Sequence, residues 1–265
     1  EKLSQENFYK VHHLLSSFRL QFPLLWAVVE GIQNGEVYVD QSDSPKGALL
    51  CHHFGFCALV GDFQRNLESK EVQSLLLNEK PLGIKYIHIL DASEAMPALL
   101  DSSELKNNYK NRKRAHFVAK NNNKNSIKKS EKITEDFQIQ AISKENIDMV
   151  NRKLVDIGAK FWNSSADFLR RGYGYVGFYG DEPATVCYTA CVAKDMAEID
   201  VYTGGDFRGK NLASCVTQVL VRELIQHGIS PHWDCFTDNT SSYKIAAKMG
   251  FEMESSYQLL SVFRG

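Results

Sequence analysis

Residues Ile199-Asp200-Val201-Tyr202-Thr203, then Gly204-Gly205-Asp206-Phe207, then Arg208-Gly209-Lys210-Asn211-Leu212-Ala213 carry the residue types that hold an anion. A strand runs through a small, basic loop into the start of a helix. The first N–H groups of a helix lack intrahelical partners, and the helix dipole is positive at that end, so phosphate oxygens are favoured there. Gly209 and Ala213 keep the backbone approachable, while Arg208 and Lys210 add positive charge. Just upstream, Glu198 and Asp200 stand two apart on the strand and share the face opposite Ile199 and Val201.

The elements that must position these residues are clearest in the second half. Phe137–Ile142 alternates as a strand, and Lys144–Ile157 reads as a helix. Tyr173–Tyr179 and Thr185–Ala193 form an antiparallel pair turning at Gly180-Asp181-Glu182-Pro183, and Glu198–Thr203 is a further strand. The helix behind the loop, Leu212–His227, has its apolar stripe at Leu212, Val216, Val219, Leu220 and Leu224 and stops at Gly228. A strand at His232–Phe236, a helix over Thr240–Met249 and a strand near Ser256–Val262 complete the chain. In the first half, Phe8–Phe18 has helical spacing. Trp26–Ile32 and Glu36–Val39 read as strands around the turn at Asn34-Gly35. Ala48–Val60 is one long apolar stretch, followed by a helix over Ser69–Asn78, a strand at Tyr86–Leu90 and a helix near Ala95–Tyr109. The two halves have similar βα content, which leaves an ancient duplication open.

The loop resembles the signature of the GNAT superfamily of N-acetyltransferases: Arg or Gln, two variable residues, Gly, one variable residue, then Gly or Ala. Arg208, Leu212 and Ala213 fit, and Asn211 stands where the first signature glycine is expected. Asn is the next most tolerant residue for a left-handed backbone. Two further blocks strengthen the likeness. One is Trp162, Ser164, Phe168, Gly172 and Gly174. The other is Pro231-His232-Trp233-Asp234-Cys235 with Asn239-Thr240-Ser241-Ser242 and Ala246-Ala247-Lys248-Met249-Gly250-Phe251. With Glu198-Ile199 and Thr203 they are similar to the branch that includes zwittermicin-resistance-type acetyltransferases, over about Phe137 to Leu260.

The resemblance implies an α+β protein: a C-terminal GNAT fold, with a mixed, twisted sheet splayed between the Glu198 and His232 strands, after an N-terminal α/β domain. The expected division is 1–128, shaping the acceptor site, and 129–265, the acetyltransferase domain. It further implies acetyl-CoA as co-substrate. Val201, Tyr202 and Thr203 would pair with the pantetheine arm, and Arg208, Gly209, Lys210, Asn211, Leu212, Ala213 and Ser214 would hold the pyrophosphate. Asn239 and Ser242 would lie near the thiol. The reaction implied is direct attack of a primary amine on the thioester in a ternary complex, with a small-molecule amine as acceptor. Glu198 is the first candidate base and Asp234 the second; the alternative is that these carboxylates sit at solvated strand ends or bind the substrate's charge. Where many GNAT enzymes place a tyrosine as acid for the thiolate, this chain has Ala246, and Tyr243 lies one turn earlier. Asn211 and Ala246 favour the competing expectation, a CoA-binding regulatory protein with this fold and weak or no turnover.

Totals limit the other classes. With 265 residues, 43% hydrophobic and 24% charged, and a formal charge of −1, the chain has no global field toward nucleic acid or anionic membrane. No apolar run approaches the roughly 20 residues that cross a bilayer, and Glu1–Lys10 mixes both charge signs, unlike a secretory signal. Lys106–Lys132 is strongly basic around Asn121-Asn122-Asn123, and reads as a solvated hinge or hairpin rather than a nucleic-acid arm because stacking aromatics are scarce. His12-His13 and Cys51-His52-His53 with Cys57 lack a second ligand pair at metal spacing, so no metal is expected. Six scattered cysteines without a CxxC pair suit a reduced, cytoplasmic protein. Phe161 and Trp162 are open to two readings, acceptor-pocket wall or core anchor. Oligomeric state is open between monomer and homodimer.

Overall fold

The computed structural model describes residues 1–78, 83–93, 95–119 and 136–264. They form two compact units, Glu1–Arg114 with Ser255–Gly265, and Ala115–Glu254. The expected division at 128/129 lies outside the described residues, as do Lys120, Asn121–Asn123 and the lysines from 124 to 132.

The first unit opens with a 3-10 turn, Gln5–Val11, and the helices α1 (His12–Ser16) and α2 (Pro23–Val29). Strands β1 (Gly35–Val39), β2 (Gly47–His52) and β3 (Phe56–Gly61) follow, then α3 (Asp62–Arg65), α4 (Lys70–Leu77), β4 (Tyr86–Leu90) and α5 (Met96–Asp101). Phe8, Val11, Leu14, Leu15 and Phe18 are all buried, so the helical spacing read there marks a core face. One expectation is corrected here. Trp26–Ile32 is not a strand: Pro23 starts a helix in which every residue is buried. A run that is apolar on all sides has no period to separate helix from strand, and proline at N1 decides for helix. Ala48–Val60 is two strands buried on both faces, joined through Gly55 at φ +97°.

The second correction of substance concerns the basic stretch. Tyr109–Ala119 is a strand, β5: the helix expected to reach Tyr109 ends at Asp101, and this part of the stretch read as a solvated hinge or hairpin is extended. Its first half, with Lys110, Arg112 and Lys113, is exposed, whereas Ala115, His116, Phe117 and Ala119 are buried. The lysines and arginines mask the short apolar run that follows them.

The second unit contains β6 (Phe137–Ala141), α6 (Ile147–Lys153), α7 (Ile157–Lys160), α8 (Ser165–Arg171), β7 (Gly174–Tyr179), β8 (Glu182–Ala193) and β9 (Met196–Thr203). A 3-10 turn (Gly205–Phe207), α9 (Leu212–Gln226), β10 (Ser230–Phe236), α10 (Thr240–Lys248) and β11 (Phe251–Phe263) follow. The expected helix over Lys144–Ile157 is shorter, ending at Lys153. Trp162 and Phe161 are core residues here; the Trp162 indole N–H donates to the Thr189 carbonyl at 2.9 Å, and its ring meets Phe168 edge-on.

The two units repeat one plan. In the first, β1, β2 and β3 pair antiparallel, β4 returns parallel to β3 after two helices, and α5 follows. In the second, β6 to β9 pair antiparallel, β10 returns parallel to β9 after α9, and α10 follows. The strand that should end each repeat is exchanged. Leu259–Phe263 of β11 pairs with β4, while β5 is the neighbour of β10.

Candidate functional site

The parallel pairing of β10 with β9 lasts only three rungs, Ser230 with Met196, Pro231 with Ala197 and His232 with Glu198. Beyond that rung β9 continues as Ile199–Thr203 and β10 as Trp233–Phe236. On its other edge β9 stays paired to β8 through Thr203, with a bulge at Thr189/Cys191 opposite Glu198. Bulges bend a strand and increase its twist, which suits a sheet opening at this point.

A cleft of about 830 Å³ lies along this opening. It is lined by Val201, Tyr202, Thr203, Arg208, Gly209, Asn211, Leu212, Ala213, Ser214, Asn239 and Ser242, so it gathers every expected cofactor residue except Lys210. The Lys210 ammonium instead lies over the rings of Tyr179 and Phe207, at 4.9 and 5.4 Å. Two cations not among the expected site residues, Lys244 and Lys248, also line the cleft, with Phe207, Ser241 and Ile245. The spacing of four between the two lysines on α10 was the available signal, since it places both on one face. Arg208, Lys244 and Lys248 face a cleft whose lining, among the described residues, contains no carboxylate. Such a surface suits a polyanion.

The loop has the shape that approach to an anion requires. Gly209 has φ +78° and Asn211 is left-handed, φ 61° and ψ 11°, immediately before α9. Asn211 provides no side-chain cap, and its Oδ1 instead accepts from Lys248 Nζ at 3.1 Å. Arg208 is anchored by its Nε–H to the Thr203 carbonyl at 3.2 Å. Asn211→Gly is expected to leave the melting temperature nearly unchanged. Asn211→Val, which forces a β-branched residue into left-handed backbone, should lower it by about 2–10 °C, read in a thermal melt. Equal melting of the two variants would show that the loop relaxes freely. Asn239 caps α10 through its Oδ1 and the Ser242 N–H, and Ser242 Oγ also accepts from the Trp233 indole. Both residues therefore hold the cleft wall as well as lining it.

The candidate acid–base residues lie on the sheet face opposite α9. Ala197, Ile199, Trp233 and Cys235 pack into the core around α9, so Glu198, Asp200, His232 and Asp234 point the other way. Glu198 is 5% exposed. Asp200 is engaged: its Oδ2 accepts from Lys160 Nζ and from the Tyr188 hydroxyl, both at 2.7 Å. Burial, then the Asp200 charge, pushes the Tyr188 phenol well above its usual range. Asp234 is fully buried and its Oδ2 lies 2.7 Å from His116 Nδ1.

His116 and His232 were not among the expected site residues. His116 comes from β5, inside the stretch read as a hinge or hairpin, and is 118 residues from Asp234. His232 shares a face with Asp234 by strand alternation, a signal present in the sequence. The two rings are 5.1 Å apart. Burial, reinforced by His116, lowers the His232 pKa to about 4, so its imidazole is neutral near pH 7. Tyr243 does not join this group. It is 37% exposed, its hydroxyl donates to Met253 Sδ at 3.7 Å, and its ring packs on Phe117, which faces the other side of β5 from His116. Ala246 is buried in the core.

All six cysteines are free thiols and buried; burial raises Cys187 to about 12 and Cys191 well above its usual value, so neither is a reactive thiolate. Among the described residues no group of three or more His, Cys, Asp or Glu is arranged to hold a metal ion, and no helix is long and apolar enough to cross a membrane.

Known proteins share the family and the fold of this chain. A family model described as GNAT acetyltransferase matches residues 13–260. An uncharacterized N-acetyltransferase of Bacillus subtilis (strain 168), YdfB, is 25% identical over 235 residues, covering 89% of this chain and 88% of the relative. Among solved structures, a GCN5-related N-acetyltransferase-like protein from Streptococcus suis 89/1591 superposes with a TM-score of 0.73 at 20% identity, covering 97% of this chain and 98% of the other. A tandem GNAT protein from the clavulanic acid biosynthesis pathway gives 0.63 at 12% identity, covering 100% and 98%.

Proposed function

The chain belongs to the GNAT acetyltransferase family and is an N-acetyltransferase, and from that premise we propose that it transfers the acetyl group of acetyl-CoA to a primary amine of a small molecule. The observation that carries this reading is the cationic cleft beginning three residues beyond Glu198 on β9. Three residues of strand span about 10 Å. A pantetheine arm lying along Val201 and Ile199, with its pyrophosphate at Gly209–Ser214, therefore brings its thioester toward Glu198.

In this reading the bound amine attacks the thioester carbonyl directly. Glu198 takes the proton that the nitrogen loses, either itself or through one water. Holding amine and thioester together removes the entropy of their encounter. The thiolate is a good leaving group and departs with protonation from solvent, so Tyr243 has no assigned step. Asp200, tied to Lys160 and Tyr188, stiffens the β9 face rather than serving as the base. The proposed setting is the cytoplasm, whose acyl-CoA pool and reducing medium suit six buried thiols.

Reversing charge in the loop tests the cofactor pose. Arg208→Glu is expected to weaken acetyl-CoA binding by at least about tenfold, from the loss of a charge-assisted contact and the gain of a repulsive one. Isothermal titration reads the affinity and circular dichroism checks the fold, which should be intact because Arg208 is exposed. Unchanged affinity would mean that the pyrophosphate lies elsewhere.

A further inference from the structure

Glu198 is buried, so a proton delivered to it must have a way out before the next turnover. A series of titratable groups on neighbouring strands leads from it toward the surface. His232 is its rung partner on β10, and the two side chains share a face. The His232 ring is 5.1 Å from that of His116. His116 Nε2 lies 3.8 Å from Glu254 Oε2, and the Glu254 side chain is 63% exposed. Asp234, fully buried, accepts from His116 Nδ1 at 2.7 Å, which leaves the lone pair on Nε2. Neither His232 Nδ1 nor His116 Nε2 has a hydrogen-bond partner among the described residues, although both are buried. Both nitrogens are thus chemically able to accept or pass a proton.

We propose that His232, His116 and Glu254 form the route by which the proton taken up at Glu198 leaves the site, with Asp234 as the positioning residue that fixes the His116 ring. This rests on the acetyl-transfer reading above. The amine lone pair forms the C–N bond, the C–S bond breaks, and its electron pair leaves on the thiolate. The proton lost from nitrogen passes from Glu198 to one nitrogen of His232, which releases its other proton toward His116. His116 accepts at Nε2, and the imidazolium formed is held by Asp234 in the manner of an orienting carboxylate. The proton then leaves Nε2 for Glu254 and water, while the thiolate takes a proton from solvent. A neutral His232 suits this task, because it accepts at one nitrogen and donates from the other. The charged and titratable groups acting on His232 are His116, Asp234 and Asp195, and those beside His116 are Asp234 and Glu254.

The test measures thiol release from acetyl-CoA with a panel of polyamines, amino acids and aminoglycosides, then follows kcat, KM and the pH profile with the best amine. His116→Gln is expected to lower kcat by about tenfold or more with acetyl-CoA affinity unchanged. In His116→Gly, imidazole added to the buffer should restore part of the loss, which a purely structural role would not allow. Glu254→Gln, at an exposed position that leaves the fold intact, should lower kcat by a smaller factor and alter its pH profile. Wild-type kcat and pH profile in either His116→Gln or Glu254→Gln would overturn the route, as would equal loss of kcat and cofactor affinity without imidazole rescue. If the wild type releases no thiol with any amine, the acetyl-transfer reading fails first and the route falls with it.

Discussion

Glu198→Gln is expected to lower kcat by about a hundred- to ten-thousand-fold while acetyl-CoA still binds. The substitution keeps the volume of the side chain and its capacity to accept a hydrogen bond, but removes its ability to take a proton. Because Glu198 occupies the last paired rung before the sheet opens, the isosteric amide should fit without disturbing β9 or β10. The loss should therefore appear in kcat and in kcat/KM alike, the pattern of an interaction made only in the transition state. Steady-state thiol release at saturating acetyl-CoA reads the first, and titration of acetyl-CoA into the variant shows that the cleft is intact. A variant with wild-type kcat would remove Glu198 from the chemistry.

The second large effect concerns the chain cut at 128/129. Expressed alone, residues 129–265 are expected to lack a cooperative fold. The fragment loses Ala115, Phe117 and Ala119, all members of the core packed around α9. Removing one buried Phe side chain typically costs about 3–5 kcal/mol, against a total stability of about 5–15 kcal/mol for a domain. The fragment also leaves the β10 edge without its β5 neighbour, and an open edge invites association. Asp234 would meanwhile keep a buried carboxylate without its His116 partner. Thermal melting and size-exclusion chromatography read the outcome. A soluble fragment with a sharp melt and undiminished acetyl-CoA affinity would refute the expectation.

The parts of the fold legible in the sequence are those with local punctuation. The turn between β7 and β8, the β9–loop–α9 passage and the ends of α10 are written in Gly, Pro and Asn residues beside clear periodicity. The left-handed Asn211 was readable because few other residues take that backbone. The misread elements lacked such contrast. α2 is apolar on every side, and β5 hides a buried half behind exposed lysines and arginines. The cleft lining was largely legible because one loop and two helix starts supply it. The proton-handling cluster was not, because His116 and Asp234 meet only through the tertiary fold. Lys244 and Lys248 fell between these cases, visible as a spacing but silent about which way the helix faces.

The exchanged strands set a timetable for synthesis. β4 is made early, yet the strand that pairs along it is made much later; 173 residues separate His88 from the Ser261 hydroxyl it contacts. At about 5–20 residues per second, translation leaves that edge of β4 without its strand for roughly 10–35 s. The nascent first unit thus depends on the ribosome finishing the second. Across that interval the cell must shield an apolar strand edge formed by Ile87, Ile89 and Leu90.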